Sequence, residues 1–394
     1  MNQTTAEGAF IAWLNSENYC GYNDWMLPSL NQYGCNDQGV CGPAGSTPGL
    51  LADCNEDVLV CLTDLGFTSI ANSRYRTSTY AQTVGSNDFY WVLWIAQNAM
   101  NDGSGPNNRF PVLPVRATKA YITNENLAQV TKCYVTPSGG FIDCENTGSG
   151  FVGPNAITLN DSKTIAFVVN QDNSTVSRCD VDGSGVFTGC ADTGGTNIWS
   201  PNAIALYSND SIAYINNNNK SVTKCTVNVQ TGGFSGCAKM PNVAGQSSYA
   251  MALNNDENIA YIPGWIGGKV TKCSITDDTF NNCSETGSGL STSRGAIVSN
   301  DLNIIFVTSH FGDVVYKCNI DESGDLGACS DTEATLITRP GGIALNSDES
   351  LAFISNVSVN TIVVCSVNAS GDFSGCVDTG ATNVDGPNGL YITQ

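Results

Sequence analysis

The sequence predicts a mainly β protein. Residues 118–394 read as a six-bladed β-propeller with a disulfide in each blade, closed by its terminal strand. A small α+β domain, residues 1–117, precedes it. Three observations carry the propeller. One pattern of about 46 residues recurs from residue 118 onward. Each copy holds two cysteines ten to twelve positions apart. The first copy lacks an opening strand, and the last stretch, Pro387 to Ile392, is an opening strand alone.

Each copy opens on a short apolar segment. Four are Pro154-Asn155-Ala156-Ile157, Pro201-Asn202-Ala203-Ile204, Pro340-Gly341-Gly342-Ile343 and Pro387-Asn388-Gly389-Leu390. The prolines fall 47 apart from 154 to 201 and again from 340 to 387. Diverged openings stand between, at Ser248-Tyr249-Ala250-Met251 and Ser293-Arg294-Gly295-Ala296. A polar turn follows, with Asp161, Asp210, Asp256, Asp301 or Asp348 in it. Next comes an apolar strand such as Ile165-Ala166-Phe167, Ile212-Ala213-Tyr214, Ile259-Ala260-Tyr261, Ile304-Ile305-Phe306 or Leu351-Ala352-Phe353. An Asn/Ser/Gly turn leads to a Val-x-x-Cys strand, with Ile362 for Val in the last copy, and a final turn leads to the second cysteine. Four short strands per copy make a blade that buries both faces against its neighbours. The expected blades are 118–150 with 385–394, 151–197, 198–244, 245–291, 292–336 and 337–384. Joining the two ends completes one blade and hides the edges of an open array.

The cysteine pairs are Cys133 with Cys144, Cys179 with Cys190, Cys225 with Cys237, Cys273 with Cys283, Cys318 with Cys329 and Cys365 with Cys376. Each flanks one hairpin turn, so the two Cβ atoms can meet across antiparallel strands. Zinc ligands stand closer together, two to four residues apart. Disulfides are therefore expected, and with them an exported protein, although no signal peptide follows Met1. Five more cysteines, Cys20, Cys35, Cys41, Cys54 and Cys61, lie in the first domain. Their pairing is open. Two local bridges, Cys35 with Cys41 and Cys54 with Cys61, would leave Cys20 over.

Composition excludes several functions. With 16 Lys+Arg against 36 Asp+Glu the net charge is −20, a poor match for nucleic acid. The only histidine is His310, so His-rich zinc sites are out. No Cys-x-x-Cys-His occurs, which excludes covalent haem. The longest apolar run, Phe89 to Ala96, is far short of a membrane helix, so no membrane insertion is expected.

The strands Ala120-Tyr121-Ile122-Thr123-Asn124 and Ala213-Tyr214-Ile215-Asn216 resemble the repeat family named for its Tyr-Val-Thr-Asn consensus. The openings also resemble blades of NHL and gluconolactonase-like propellers. In the first domain, Thr4-x-x-Glu7 reads as a capping box, and Ala6, Phe10, Trp13 and Leu14 share a helical face. Then come Gly21-Tyr22-Asn23-Asp24-Trp25-Met26-Leu27-Pro28, Tyr75-Arg76-Thr77-Ser78-Thr79 and Pro114-Val115-Arg116-Ala117. Over residues 6–117 this order resembles the family at the C-terminus of the Legionella collagen-like adhesin. The resemblance implies a C-type-lectin-like fold, a cell-surface location and, as in the adhesin, trimers that bind sulfated glycans. Arg76 stands where that family has an aromatic. Its opening strand is missing here, so the chain reads as truncated or mis-started at Met1.

Blade openings line the channel in this architecture, which places Asn155, Asn202, Tyr249, Arg294 and Asn388 near one rim. The gluconolactonase-like resemblance implies that Asn388, in Pro387-Asn388-Gly389, matches a metal ligand. No Glu or Asp at the other openings completes such a site. The plainer reading is that these amides cap turns and bond to backbone. Asp180-Val181-Asp182-Gly183-Ser184-Gly185 begins like a calcium loop, but position 12 is Ala191, and a Gly turn explains it. His310, in a turn with no visible partner, reads as surface decoration. Asn-x-Ser/Thr triplets such as those at Asn173, Asn282 and Asn368 are expected by chance in so Asn- and Ser-rich a chain. In the first domain Tyr22, Trp25, Tyr75, Tyr80, Trp91 and Trp94 offer stacking faces. Arg74 and Arg76 form its close basic pair, against a domain balance of 4 basic to 10 acidic residues. The expectation is an extracellular or cell-surface, non-enzymatic, adhesin-like binding protein without a cofactor. Its partner would be a glycan or a surface protein. Alternatives are a self-assembling filament or sheath subunit, and a metal-dependent lactonase- or lyase-like enzyme in the propeller channel.

Overall fold

The structure, a computed structural model, describes residues 118–136, 138–240, 243, 248–265, 267–299 and 301–393. It also describes the backbone of five earlier strands. Of these, Arg74–Val84, Asn87–Trp94 and Ala99–Ser104 form one antiparallel sheet. Trp25–Met26 pairs with Val115–Arg116, joining two of the motifs read above. The lectin-like fold, the first helix and the five unassigned cysteines lie outside the described residues. The chain divides into two compact units, the larger comprising Lys119–Cys133, Cys144–Asp182 and Val186–Gln394.

That larger unit carries the six-bladed propeller. Blade 1 combines Pro387–Ile392 with Lys119–Asn124, Gln129–Val135 and Phe141–Thr147. Blade 2 is Pro154–Leu159, Ile165–Asn170, Thr175–Val181 and Phe187–Asp192. Blade 3 is Pro201–Tyr207, Ile212–Asn217, Ser221–Val227 and Phe234–Lys239. Blade 4 is Ala252–Leu253, Ile259–Pro263, Val270–Thr276 and Thr279–Thr286. Blade 5 is Ser293–Ser299, Ile304–Ser309, Val314–Asn319 and Ser330–Asp331. Blade 6 is Pro340–Leu345, Leu351–Asn356, Thr361–Val367 and Phe373–Asp378. The closing pair registers Leu390 on Ile122 and Ile392 on Ala120.

Burial falls from the second strand outward. Second strands are buried along their length because neighbouring blades cover both faces, which is why they read as unbroken apolar runs. Fourth strands bury little beyond their first aromatic. That aromatic joins the blades. Phe187 stacks on Tyr121, Phe234 on Phe167, Phe280 on Tyr214 and Phe373 on Phe306, with centroids 4.7–5.5 Å apart. Each pair links a second strand to the fourth strand of the next blade.

A basic residue one position before the third-strand cysteine forms a second link. Lys224 reaches Asp278, Lys272 reaches Asp325, and Lys317 pairs with Asp372, each in the next blade. These half-exposed pairs contribute on the order of 0–1 kcal/mol each. Blades 1 and 2 have Lys132 and Arg178 at this position, ion-paired within their own blades to Glu145 and Asp180, and blade 6 has Val364. All six disulfides expected from spacing form within blades, with Cα–Cα distances of 4.1–4.3 Å. In blades 2, 3, 4 and 6 the third-strand cysteine sits at a break in register with strand four. Six such bonds belong to an oxidising compartment.

Candidate functional site

The alternating strand directions bring two sets of residues to one end of the propeller. These are the starts of the innermost strands and the connections between second and third strands. There the openings surround an axial channel with about 120 Å³ of free space. Asn155, Asn202, Tyr249, Arg294 and Asn388 all line it, with Gly341 at the sixth position. Inner strands crowd together on one side. A Cβ at Gly342 would lie 2.6 Å from the Asn388 carbonyl, and one at Gly389 2.6 Å from that of Asn155. Ala156, Ala203 and Ala250 take the same place in blades 2 to 4.

The amides form a relay between blades. Asn155 Nδ2 donates to Gln171 Oε1 at 3.1 Å, and Gln171 Nε2 donates to Asn202 Oδ1 at 2.9 Å. Asn202 Nδ2 then donates to the Ser248 carbonyl at 2.9 Å. That last bond is the backbone capping expected from sequence; the first two join side chains. Across the channel, Arg294 Nη2 donates to Asn388 Oδ1 at 2.5 Å, and Asn388 Nδ2 donates to Glu125 Oε2 at 2.6 Å. A carboxylate therefore does contact a channel-lining side chain. It comes from the blade 1 connection after Asn124 and not from an opening.

His310 is where the sequence reading fails. It is only 7% exposed, enclosed by Arg294, Trp265 and Phe311. Its Nδ1 lies 3.1 Å from the Pro340 carbonyl, which can only accept, so Nδ1 carries the hydrogen. Arg294 Nη1 lies 3.2 Å from Nε2, the nitrogen this leaves able to accept, and 3.3 Å from Nδ1. Around this pair Arg294 stacks on Tyr249 at 5.4 Å, and Tyr249 packs on Trp265 at 4.8 Å. Phe311, 61% exposed, meets Trp265 edge-on and carries Arg339 over its ring.

Burial holds the His310 pKa below its ordinary value, and the Arg294 charge and, more weakly, Arg339 push the same way. The Pro340 carbonyl and Asp313 oppose them. The folded state thus prefers the neutral ring. Its contribution to stability is present above about pH 6.5 and is lost as pH falls through the lowered folded value. An NMR titration of this sole imidazole is expected to give a midpoint below the ordinary one. His310→Gln is expected to flatten stability over that acidic range; a midpoint at or above the ordinary value would contradict the buried neutral ring.

Trp265, His310, Glu125 and Gln171 contact channel-lining side chains and were not placed there from sequence. A signal for two of them exists. Second strands end on Asn124, Asn170, Asn217 and Asn356, whose amides bond within their blades, to Thr131, Ser177, Thr223 and Thr361. Blades 4 and 5 end instead on Pro263 and Ser309. Those are the blades whose connections carry Trp265 and His310. They are also the blades with the diverged openings Tyr249 and Arg294. Departures from the repeat thus gather at one place.

The other candidates lie apart. Asp180 pairs with Arg178 at 2.6 Å, and Asp182 Oδ1 accepts from Val186 N at 2.9 Å, so both carboxylates of the calcium-like stretch serve its hairpin. Arg74 and Arg76 lie on the strand Arg74–Val84, opposite Trp94 and Val92; their side chains are outside the described residues. Among the described residues, no three His, Cys, Asp or Glu side chains converge as metal ligands. No described helix is long and apolar enough to cross a membrane.

No protein-family profile and no curated protein sequence matches the chain. Solved structures are similar. A chain of the nidogen–laminin complex is 8% identical, covering 70% of this chain and 98% of its own, with a TM-score of 0.57. The periplasmic gluconolactonase of Pseudomonas aeruginosa is 13% identical, covering 82% and 99%, with a TM-score of 0.53. A candidate 6-phosphogluconolactonase from Bacteroides fragilis is 12% identical, covering 83% and 99%, with a TM-score of 0.51. At such identities the likeness is one of fold.

Proposed function

We propose that this is an extracellular or cell-surface, non-enzymatic binding protein, adhesin-like, whose propeller takes a glycan at the mouth of its axial channel. One observation supports this above others: the channel lining joins Tyr249, which packs on Trp265, to Arg294 and the amides of Asn155, Asn202 and Asn388. Tyr249 and exposed Phe311 offer faces for the C–H side of a sugar, while Arg294 and the part-exposed Gln171 offer polar groups for hydroxyls, backed by the buried amides of Asn155 and Asn202. The disulfides fit an exported protein. A glycan array probed with the intact chain should retain at least one sugar class. Tyr249→Ala should weaken that binding about tenfold, the effect of about 1.4 kcal/mol. An array without retained sugars would count against the reading.

Lactone hydrolysis in the same channel is the second reading. The close Asn388–Glu125 contact and the gluconolactonase of like fold favour it. Turnover of a sugar lactone that disappears in Asn388→Ala would replace binding with catalysis. Light scattering on the native chain tests the assembly alternative, in which monomers would exclude a filament subunit.

A further inference from the structure

We propose that the glycan taken at the mouth is anionic, an oxyanion-bearing sugar whose charge is met by Arg294. This rests on the glycan reading above. The Arg294 side chain is 14% exposed, yet its hydrogen-bond acceptors there, Nε2 of a neutral His310 and Oδ1 of Asn388, are both uncharged. The nearest carboxylate atom, Glu125 Oε2, stands 3.9 Å away, beyond hydrogen-bond range, and takes the Asn388 amide at 2.6 Å. Glu125 is itself 41% exposed, so water screens much of its charge. A desolvated cation normally keeps a hydrogen-bonded counter-ion. Among the described residues Arg294 has none within hydrogen-bond range, and it lines an open channel, with Tyr249 and His310 holding its plane. A fixed guanidinium suits two parallel bonds to one planar oxyanion.

A second observation points the same way. The 277 residues from 118 onward contain three arginines: Arg178, Arg294 and Arg339. Two of them flank His310, one through its ring nitrogen and one over the adjoining Phe311. In a chain of net charge −20 this pairing sets two guanidinium groups close together beside the channel mouth. Asp313 and Glu125 lie near this group and equal the two arginines in number, so what distinguishes Arg294 is the missing hydrogen-bonded carboxylate and not a net positive charge.

Calorimetric titration of the intact chain with glucose, glucuronate and glucose 6-sulfate tests this. Either anionic sugar should bind at least tenfold tighter than glucose, and added salt should shrink the advantage. Whichever of the two binds tighter names the oxyanion. Arg294→Gln should erase the advantage, the anions losing at least tenfold more affinity than glucose does, while Arg294→Lys should keep part of it. If Arg294→Gln does not fold, the exposed Arg339→Gln should still reduce it. Equal binding of glucose and both anions, or an advantage that survives the variants, overturns the charge assignment while the glycan reading stands. Binding of none of the three, together with an empty glycan array, brings down the glycan reading itself.

Discussion

Removing residues 387–394 is expected to abolish cooperative folding of the propeller. The strand lost, Pro387–Ile392, is the innermost strand of blade 1 and carries most of the ring closure. Its partner Lys119–Asn124 is buried along its whole length, and deletion turns it into an exposed edge. Ala120, Tyr121 and Ile122 would face water, and buried Leu390 and Ile392 would be gone. Each large apolar group accounts for about 1.5–3 kcal/mol. The strand also packs between the inner strands Pro340–Leu345 and Pro154–Leu159, and the Lys119 amide donates to Thr393 Oγ1 at 2.7 Å. Together these losses are comparable to the entire ~5–15 kcal/mol of a typical domain. Thermal melting followed by circular dichroism checks it. A soluble deletion variant that melts cooperatively near the parent would show that the ring does not need its closure. A synthetic peptide of residues 385–394, supplied separately, is expected to restore part of the transition, since strand addition to an open edge replaces the same bonds.

The ring was legible because each position in the repeat has one physical role. Apolar residues in unbroken runs mark strands covered on both faces, as Ile165–Asn170 and Ile212–Asn217 are. Paired cysteines mark the outer hairpins. A residue's place in the repeat then fixes its place around the axis, so Asn155, Asn202, Tyr249, Arg294 and Asn388 could be set on one rim without coordinates. The rest of the site was harder to read. Glu125, Gln171 and His310 each open a four-residue connection between second and third strands, and Trp265 stands in the six-residue connection of blade 4. Composition does not say which of them bend inward. His310 misled because a lone turn histidine is usually solvated, whereas the rings of Trp265 and Phe311 and the Arg294 side chain enclose this one. Reading the copies against each other would have helped. Pro263 and Ser309 stand where the other blades have an asparagine, in the two blades whose connections carry Trp265 and His310.

Reducing the six disulfides is expected to lower the melting temperature by tens of degrees, the second large effect. Each bond closes a loop of ten to twelve residues, which restricts the unfolded chain by about 2–3 kcal/mol. One bond lies in each blade, so the effects fall on separate sites and should add. Their sum is on the order of 10 kcal/mol, and each kcal/mol moves the midpoint of a domain this large by about 2–4 °C. The native side of the balance changes little. The third-strand cysteines are buried and remain well packed as thiols. The second strands, where most of the apolar burial lies, carry no cysteine. Reduction should therefore leave the fold assembled in the cold and fail it on heating. Midpoints measured with and without a thiol reductant, alongside mass measurement of alkylated cysteines, decide the matter. The paired change Cys273→Ser with Cys283→Ser should lower the midpoint by roughly a sixth of the full effect. Twelve alkylated thiols with an unchanged midpoint would show instead that interblade packing, through contacts such as Tyr214 on Phe280, holds the ring without its covalent links.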